Sequence, residues 1–491
     1  MAQSSEFETV KREATRGVAW AGAESVLRQL IQITAQLLLA RLLAPADFGV
    51  LGMALVFQGV AQLLADFGIG SAIVQKQQPD PLTLSSSFWA NLAVSSLLAL
   101  LMVASAPLVG RFYASEAVVP VVQALSLSLL LGGLRTLPRA LLYKDLQFGV
   151  LARIGIVSSL VGTCVAITMA ATGFGLWSLV AQPLAGNITE TIMLWLANRW
   201  RPQWAFNWAS MRDVAHFSYG VLGTNLLNYA SRNADNLLIG KVLGSNLLGY
   251  YALAYQIMLY PLSQVAGVIV KVMFPALSRL QNEPEQVRSA FLAGVSMIAF
   301  VTFPMMLGLY AVSSDFIVVV FGEKWLPMRT VLEIFCGIGL QQSIGTTVGT
   351  IYMATGNSRL MLRVTLYVTP LILASFVVGL KWGIEGVAAC YGVVSLVLFF
   401  VLAQIALKLI GLRVGTMLLA MARPLLAALL MLVGTLAVVH ALPSASPALR
   451  LGLASASGAV LYVLITFAIN RGQALRLVAL IRSAFGRPAA G

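Results

Sequence analysis

Fourteen apolar runs, each close to the roughly 20 residues that a helix needs to cross a bilayer, constrain this chain more than any other feature. They fall at roughly 17–43, 48–66, 88–109, 118–137, 148–171 and 176–196, then at roughly 214–238, 248–272, 290–312, 331–354, 360–380 and 386–409, and finally at 418–440 and 449–469. So many spans leave 491 residues no room for a large soluble domain. The balance of 59% apolar and 10% charged residues agrees, since soluble domains run at about 45–50% and about 25%. The expected fold class is an all-α integral membrane protein of about 14 transmembrane helices. The stretch from Phe316 to Phe321 reads as a short re-entrant piece or the end of a longer helix.

Lys and Arg outnumber Asp and Glu by 32 to 18, a net charge of +14. In a soluble chain that excess would suggest nucleic acid, whereas membrane proteins gather Lys and Arg in their cytoplasmic loops. An even number of spans puts both termini on one side. The termini and alternate loops of that side hold 23 of the 32 basic residues and the opposite side seven, with only Arg28 and Arg232 deep inside helices. The skew predicts cytoplasmic termini and removes nucleic acid as a partner. The polar segment 1–16 reads as a cytoplasmic tail, and with no cleavage site after it no signal peptide is expected.

Part of the sequence repeats. Arg41-Leu42-Leu43 with Phe48-Gly49-Val50 recurs 200 residues later as Lys241-Val242-Leu243 with Leu248-Gly249-Tyr250, and Gly173-Phe174-Gly175 recurs 210 residues later as Gly383-Ile384-Glu385. Six helices are therefore repeated, and because six is even the two copies share one orientation: a parallel pseudo-two-fold repeat. The predicted layout is an N-lobe over 17–198, a cytoplasmic linker over 199–213, a C-lobe over 214–410, two added helices over 411–470 and a basic amphipathic tail over 471–491. Two six-helix bundles about a central cavity suit alternating access.

Polar residues within the spans mark the candidate site. Glu24, Arg28, Gln32 and Gln36 follow at i, i+4 and share one face of the first predicted helix. The seventh, its counterpart in the repeat, carries Asn225, Asn228, Arg232 and Asp235 at spacings of three and four. An Arg at the bilayer centre costs about 2.5–3.5 kcal/mol on insertion scales, so these faces should meet protein or water rather than lipid. Two guanidinium groups would suit phosphate oxygens, which they grip as a fork. A second, less favoured reading takes Arg28 with Glu24, and Arg232 with Asp235, as structural pairs. Gln58, Gln62 and Asp66 line one face of the second helix, and Gln256, Tyr260 and Gln264 one face of the eighth. These suit sugar hydroxyls or, as readily, hydrogen bonds between helices. Glu24, Asp66 and Asp235 are candidates for ion coupling. Arg135, Arg139, Lys144, Arg153, Lys271, Arg359 and Arg363 crowd the cytoplasmic side as anchors, a minority of them as an electropositive entrance for an anionic headgroup.

Catalytic signals are sparse. His216 and His440 stand far apart, no CxxC or HExxH occurs, and neither a metal nor a cofactor is expected. Cys164, Cys336 and Cys390 lie in apolar runs and read as small buried hydrophobes. Pro183, Pro261, Pro304 and Pro370 fall within spans and allow kinks. A transporter fits better than an enzyme. A membrane glycosyltransferase or polymerase would want acidic residues on a sizeable external loop, and a multidrug and toxin extruder, a cation antiporter, would want acids dominating the cavity.

Several motifs in one order carry a resemblance. Arg41-Leu42-Leu43-Ala44-Pro45-Ala46-Asp47-Phe48-Gly49, Asp66-Phe67-Gly68-Ile69-Gly70, Leu238-Ile239-Gly240-Lys241-Val242-Leu243-Gly244, Phe274-Pro275-Ala276-Leu277-Ser278 and Val320-Phe321-Gly322-Glu323-Lys324-Trp325 resemble the Wzx-type polysaccharide transporters, most of all the branch that includes the colanic-acid flippase. The resemblance spans residues from about 10 to about 410. It implies the two-lobed fold of the multidrug, oligosaccharidyl-lipid and polysaccharide exporter superfamily. It implies as substrate an oligosaccharide repeat unit on undecaprenyl diphosphate, carried to the periplasmic leaflet of a bacterial inner membrane. Membrane lipid, a polysaccharide polymerase and a chain-length regulator are the partners it implies.

Overall fold

Where the sequence places breaks between apolar runs, the computed structural model turns the chain. It describes residues 2–65, 70, 73–74, 79–280 and 283–469. The helices are α1 (Ala2–Leu42), α2 (Pro45–Ala65), α3 (Pro81–Tyr113), α4 (Val118–Lys144), α5 (Phe148–Ala171), α6 (Leu176–Ala197), α7 (Trp208–Leu243) and α8 (Ser245–Pro261). A π turn (Leu262–Ala266) leads into α9 (Gly267–Arg279), followed by α10 (Pro284–Ala311), α11 (Ser313–Val320), α12 (Arg329–Ala354), α13 (Ser358–Gly379), α14 (Gly383–Leu409), α15 (Val414–Ala441) and α16 (Pro447–Ile469). Each predicted span has its helix, the eighth being α8 and α9 joined through the π turn. The stretch at 316–321 belongs to the eight-residue α11 and the turn after it. Among the described residues there is no strand.

Local chemistry sets the boundaries. Pro45 opens α2, where its missing N–H costs nothing, and Asp47 Oδ2 reaches back to accept the Ala44 N–H at 3.0 Å. Asp80 caps α3 by accepting from Thr83 N at 3.3 Å, with Pro81 in the first turn, so α3 starts seven residues before the predicted 88. Both copies of the motif turn the chain ahead of a helix, with Gly173, Gly175 and Gly383 at φ of +87°, +54° and +72°, a region that side chains avoid, whereas Glu385 lies in the first turn of α14.

Nine helical stretches among the described residues are apolar and long enough to cross a membrane, with mean hydropathies from 1.6 to 2.4, and one of them, Arg359–Leu409, contains α14 and most of α13. Among the long helices, α1, α6, α7 and α12 fall short of that standard. Leu100, Leu196 and Leu419 are 68%, 80% and 74% exposed, an outward apolar surface suited to lipid rather than water. The chain is a multi-pass membrane protein. Cys336 is buried, but Cys390 is only half-buried and Cys164 is exposed on this outer surface, a correction to the expectation that all three are buried.

Contacts divide the chain into two compact units, Met1–Gly249 and Tyr250–Gly491. In the first, α1 packs on α5, α5 on α6, α4 on α3 and α6, and α7 on α2 and α3. Tyr229 of α7 donates its hydroxyl to Leu55 O at 2.9 Å, over the gap left by Gly59. The segment after α6 is pinned by Gln203 N to Ser85 Oγ (3.1 Å) and Asn207 N to Ser86 Oγ (2.8 Å), with Trp204 stacked on Trp89 at 4.4 Å. In the second unit, α10 is packed by α12 and α15, and α16 lies on α15. Ser296 Oγ donates to Ala420 O (2.9 Å), Tyr462 Oη donates to Phe300 O (2.6 Å), and Arg450 of α16 grips the buried Asp315 of α11 through both carboxylate oxygens.

Candidate functional site

Arg135 and Arg139 sit one turn apart on α4, and Asn187 and Glu190 one turn apart on α6, so two helices present matching polar faces. Arg135 Nη1 donates to Asn187 Oδ1 at 2.5 Å and to Glu190 Oε2 at 3.0 Å. Arg139 Nη1 donates to Glu190 Oε1, also at 3.0 Å. One carboxylate therefore serves two guanidinium groups, and the trio keeps a net charge of +1. The Arg135 and Glu190 side chains are only 18% and 17% exposed, which makes pairing obligatory for both.

A cavity of about 750 Å³ opens against the same two arginines. Gln62 of α2, Ser95 of α3 and Thr136 and Tyr143 of α4 share its wall, and the Arg139 guanidinium lies 5.9 Å from the Tyr143 ring centre. The cavity lies towards the end of the unit that carries the 145–147 turn and the 198–207 segment. Its wall offers cationic donors, hydroxyls, an amide and an aromatic ring, a set that can hold an anionic group with polar substituents.

The α1 stripe lies close by. Arg28 Nη1 donates to Glu24 Oε1 at 3.3 Å, and the Arg28 charge is near enough to act on Arg135. Gly155 of α5 gives this pair its space: a Cβ there would stand 2.3 Å from Glu24 Oε1. Further along α1, Gln32 is exposed and Gln36 half-buried. On α2, Gln58 Oε1 is buried with no hydrogen-bond partner among the described residues. On α7, Asn228 and Arg232 are exposed, while Asp235 is buried and accepts the Asn236 N–H at 2.8 Å. Asp66, the Asn225 side chain and the tail 471–491 lie outside the described residues.

Gln256 belongs to the second unit, exposed on α8 and hydrogen-bonded to the Tyr260 hydroxyl one turn on; Gln264 falls in the π turn after Pro261. Such turns widen a helix and often accompany functional positions. A smaller cavity of about 470 Å³ in this unit is bordered by Arg288, Thr355 and Asn357, but Arg288 Nε is already engaged by Ile410 O at 2.8 Å, at the end of α14.

The sequence places Arg135 and Arg139 among cytoplasmic-side anchors, a minority of which form an electropositive entrance for an anionic headgroup, and does not single out Glu190. A carboxylate inside the predicted span 176–196 was the available signal. Among the described residues no group of three His, Cys, Asp or Glu stands together as a metal site.

Comparison with known proteins adds four findings. A family model described as "Polysaccharide biosynthesis protein" matches residues 38–330. The lipopolysaccharide biosynthesis protein WzxC of Escherichia coli is 27% identical over 404 residues, covering 81% of this chain and 80% of that one. Among solved structures, the lipid II flippase MurJ in an inward closed conformation superposes with a TM-score of 0.72 at 14% identity, over 92% of this chain and 99% of MurJ. An inward-facing multidrug resistance MATE family transporter gives a TM-score of 0.61 at 14% identity, over 78% and 94%. At such identities the two structures speak for the fold alone.

Proposed function

This chain belongs to the polysaccharide biosynthesis protein family, and on that premise we propose that it is a flippase for lipid-linked oligosaccharides, moving undecaprenyl-diphosphate-linked repeat units from the cytoplasmic to the periplasmic leaflet of a bacterial inner membrane by alternating access. The observation that carries the proposal is the Arg135–Glu190–Arg139 cluster beside a cavity of about 750 Å³. A diphosphate diester brings two negative charges and several acceptor oxygens, and guanidinium groups meet both. Tyr143, Thr136 and Gln62 offer surfaces for the first sugars. The skew of Lys and Arg supports cytoplasmic termini, which puts this cavity on the side where repeat units are assembled.

In this proposal Arg28 and Arg232 continue the path, with Gln32, Gln36, Asn225, Asn228, Gln58, Gln62 and Gln256 as sugar contacts. Glu24, Asp66 and Asp235 remain the coupling candidates. The reading is of a transporter rather than a catalyst, and a polymerase and chain-length regulator would act downstream. A cation extruder shares the fold, but its substrate would meet an excess of positive charge here.

The test is the state of the lipid-linked sugars in a strain lacking this protein. Complete repeat units shielded from an impermeant periplasmic reagent are expected. Truncated units would indicate a glycosyltransferase, complete but accessible units a polymerase, and unaltered sugars with greater sensitivity to organic cations an extruder.

A further inference from the structure

The hydrogen bonds of Arg135 and Arg139 to Glu190 and Asn187 all run through Nη1, so each guanidinium is held at one corner. Nε and Nη2 are left without a hydrogen bond among the described residues. The cavity wall includes both arginines but neither Glu190 nor Asn187. Glu190 therefore grips the guanidinium groups from behind while their remaining donors are left to whatever occupies the cavity.

We propose that Glu190 is a positioning residue that sets how readily an anionic headgroup leaves this cavity. It does two things at once. By bridging Arg135 and Arg139 it fixes both forks in one orientation, which favours bidentate recognition of phosphate oxygens. By contributing one negative charge it keeps the site at +1, so a headgroup of charge −2 is attracted without being fully neutralised. Two arginines alone would match that charge and bind it more deeply. A carrier must bind well enough to load and weakly enough to unload, a balance that ion pathways also obey.

A purely structural salt bridge predicts the opposite response. Removing the carboxylate would then loosen the arginines and weaken binding, because each would lose its orienting partner. Glu190→Gln separates the two cases. The amide keeps the shape of the side chain and one acceptor oxygen, enough to hold one of the two guanidinium groups, while losing the charge.

This inference rests on the flippase reading, and the experiment keeps their failures apart. Full-length wild-type and Glu190→Gln proteins, purified in detergent, are titrated with undecaprenyl diphosphate and, separately, with uncharged undecaprenol, and binding is read from intrinsic tryptophan fluorescence. Wild type should bind the diphosphate and not undecaprenol. Glu190→Gln should bind the diphosphate about tenfold more tightly, the order expected from removing one nearby charge at a partly buried site, and should export polymer more slowly in cells. Equal or weaker binding by Glu190→Gln, with normal binding by wild type, would overturn the role given to Glu190 and leave the flippase reading standing. Equal affinity of wild type for diphosphate and undecaprenol would overturn both. If Glu190→Gln fails to accumulate, Glu190→Asp supplies the check. Its shorter side chain keeps the charge but cannot span both arginines, so weaker binding with normal accumulation is expected and unchanged binding would refute the bridging role.

Discussion

Gly49 and Gly249, matched by the 200-residue repeat, meet each other's helix start in the same way: a Cβ on Gly49 would stand 1.7 Å from Ser245 O, and one on Gly249 would stand 1.9 Å from Pro45 O. The first turns of α2 and α8 thus cross with backbone against backbone. Gly49→Val should cost about 3 kcal/mol or more, since carbonyl groups cannot swing aside as side chains do. Gly52→Ala is the control, because its new methyl would meet only the Leu248 side chain at 3.5 Å. Thermal unfolding of the detergent-purified proteins, followed by size-exclusion fluorescence, should show a large loss for the first and almost none for the second.

Arg28→Ala and Arg232→Ala should each stop polymer export while the protein still reaches the membrane. Lys at either place should recover part of it, since charge survives and the fork does not. Export by the double Ala variant at wild-type level, with membrane content checked by immunoblot, would remove both residues from the substrate path.

Arg450→Ala should be more damaging than Asp315→Ala. Asp315 is 3% exposed, so losing Arg450 strands a carboxylate inside the protein, whereas a released Arg450 can turn to water. A cost of about 2 kcal/mol is expected for Arg450→Ala, read as a fall in melting temperature. Equal melting temperatures for the two variants would contradict this asymmetry.

Orientation can be read from two introduced thiols. In a background with Cys164→Ser, Cys336→Ala and Cys390→Ser, Arg201→Cys should react with an impermeant maleimide only from the cytoplasm and Ser446→Cys only from the periplasm. Alanine is chosen at 336 because the site is fully buried and a serine hydroxyl there would need a partner. Reaction of both from one face would contradict the fourteen-span topology.

The helices were legible because lipid imposes a length and an apolar composition on each one, and these are local properties. The glycine turns were legible as repeats, though not their positive φ angles. Similarity to WzxC and the polysaccharide biosynthesis family also bears out the resemblance to Wzx-type transporters carried by residues 41–49 and 238–244. The Arg135–Glu190 pair was not legible. Its members lie 55 residues apart, and a pattern search along one helix cannot say which face of another it will meet. The Asp315–Arg450 pair, 135 residues apart, escaped for the same reason. The π turn escaped too, since Pro261 announces a disturbance in α8 without fixing its form.

A carboxylate shared by two guanidinium groups also constrains how such a chain can change over generations. Replacing Glu190 alone leaves two like charges side by side, and replacing Arg135 alone leaves the buried carboxylate with one partner fewer. Losing one arginine still leaves a balanced pair, so loss of Glu190 beside both arginines is the step that leaves charge uncompensated. Related sequences should therefore keep Glu190 wherever they keep both Arg135 and Arg139, whatever sugars those relatives carry.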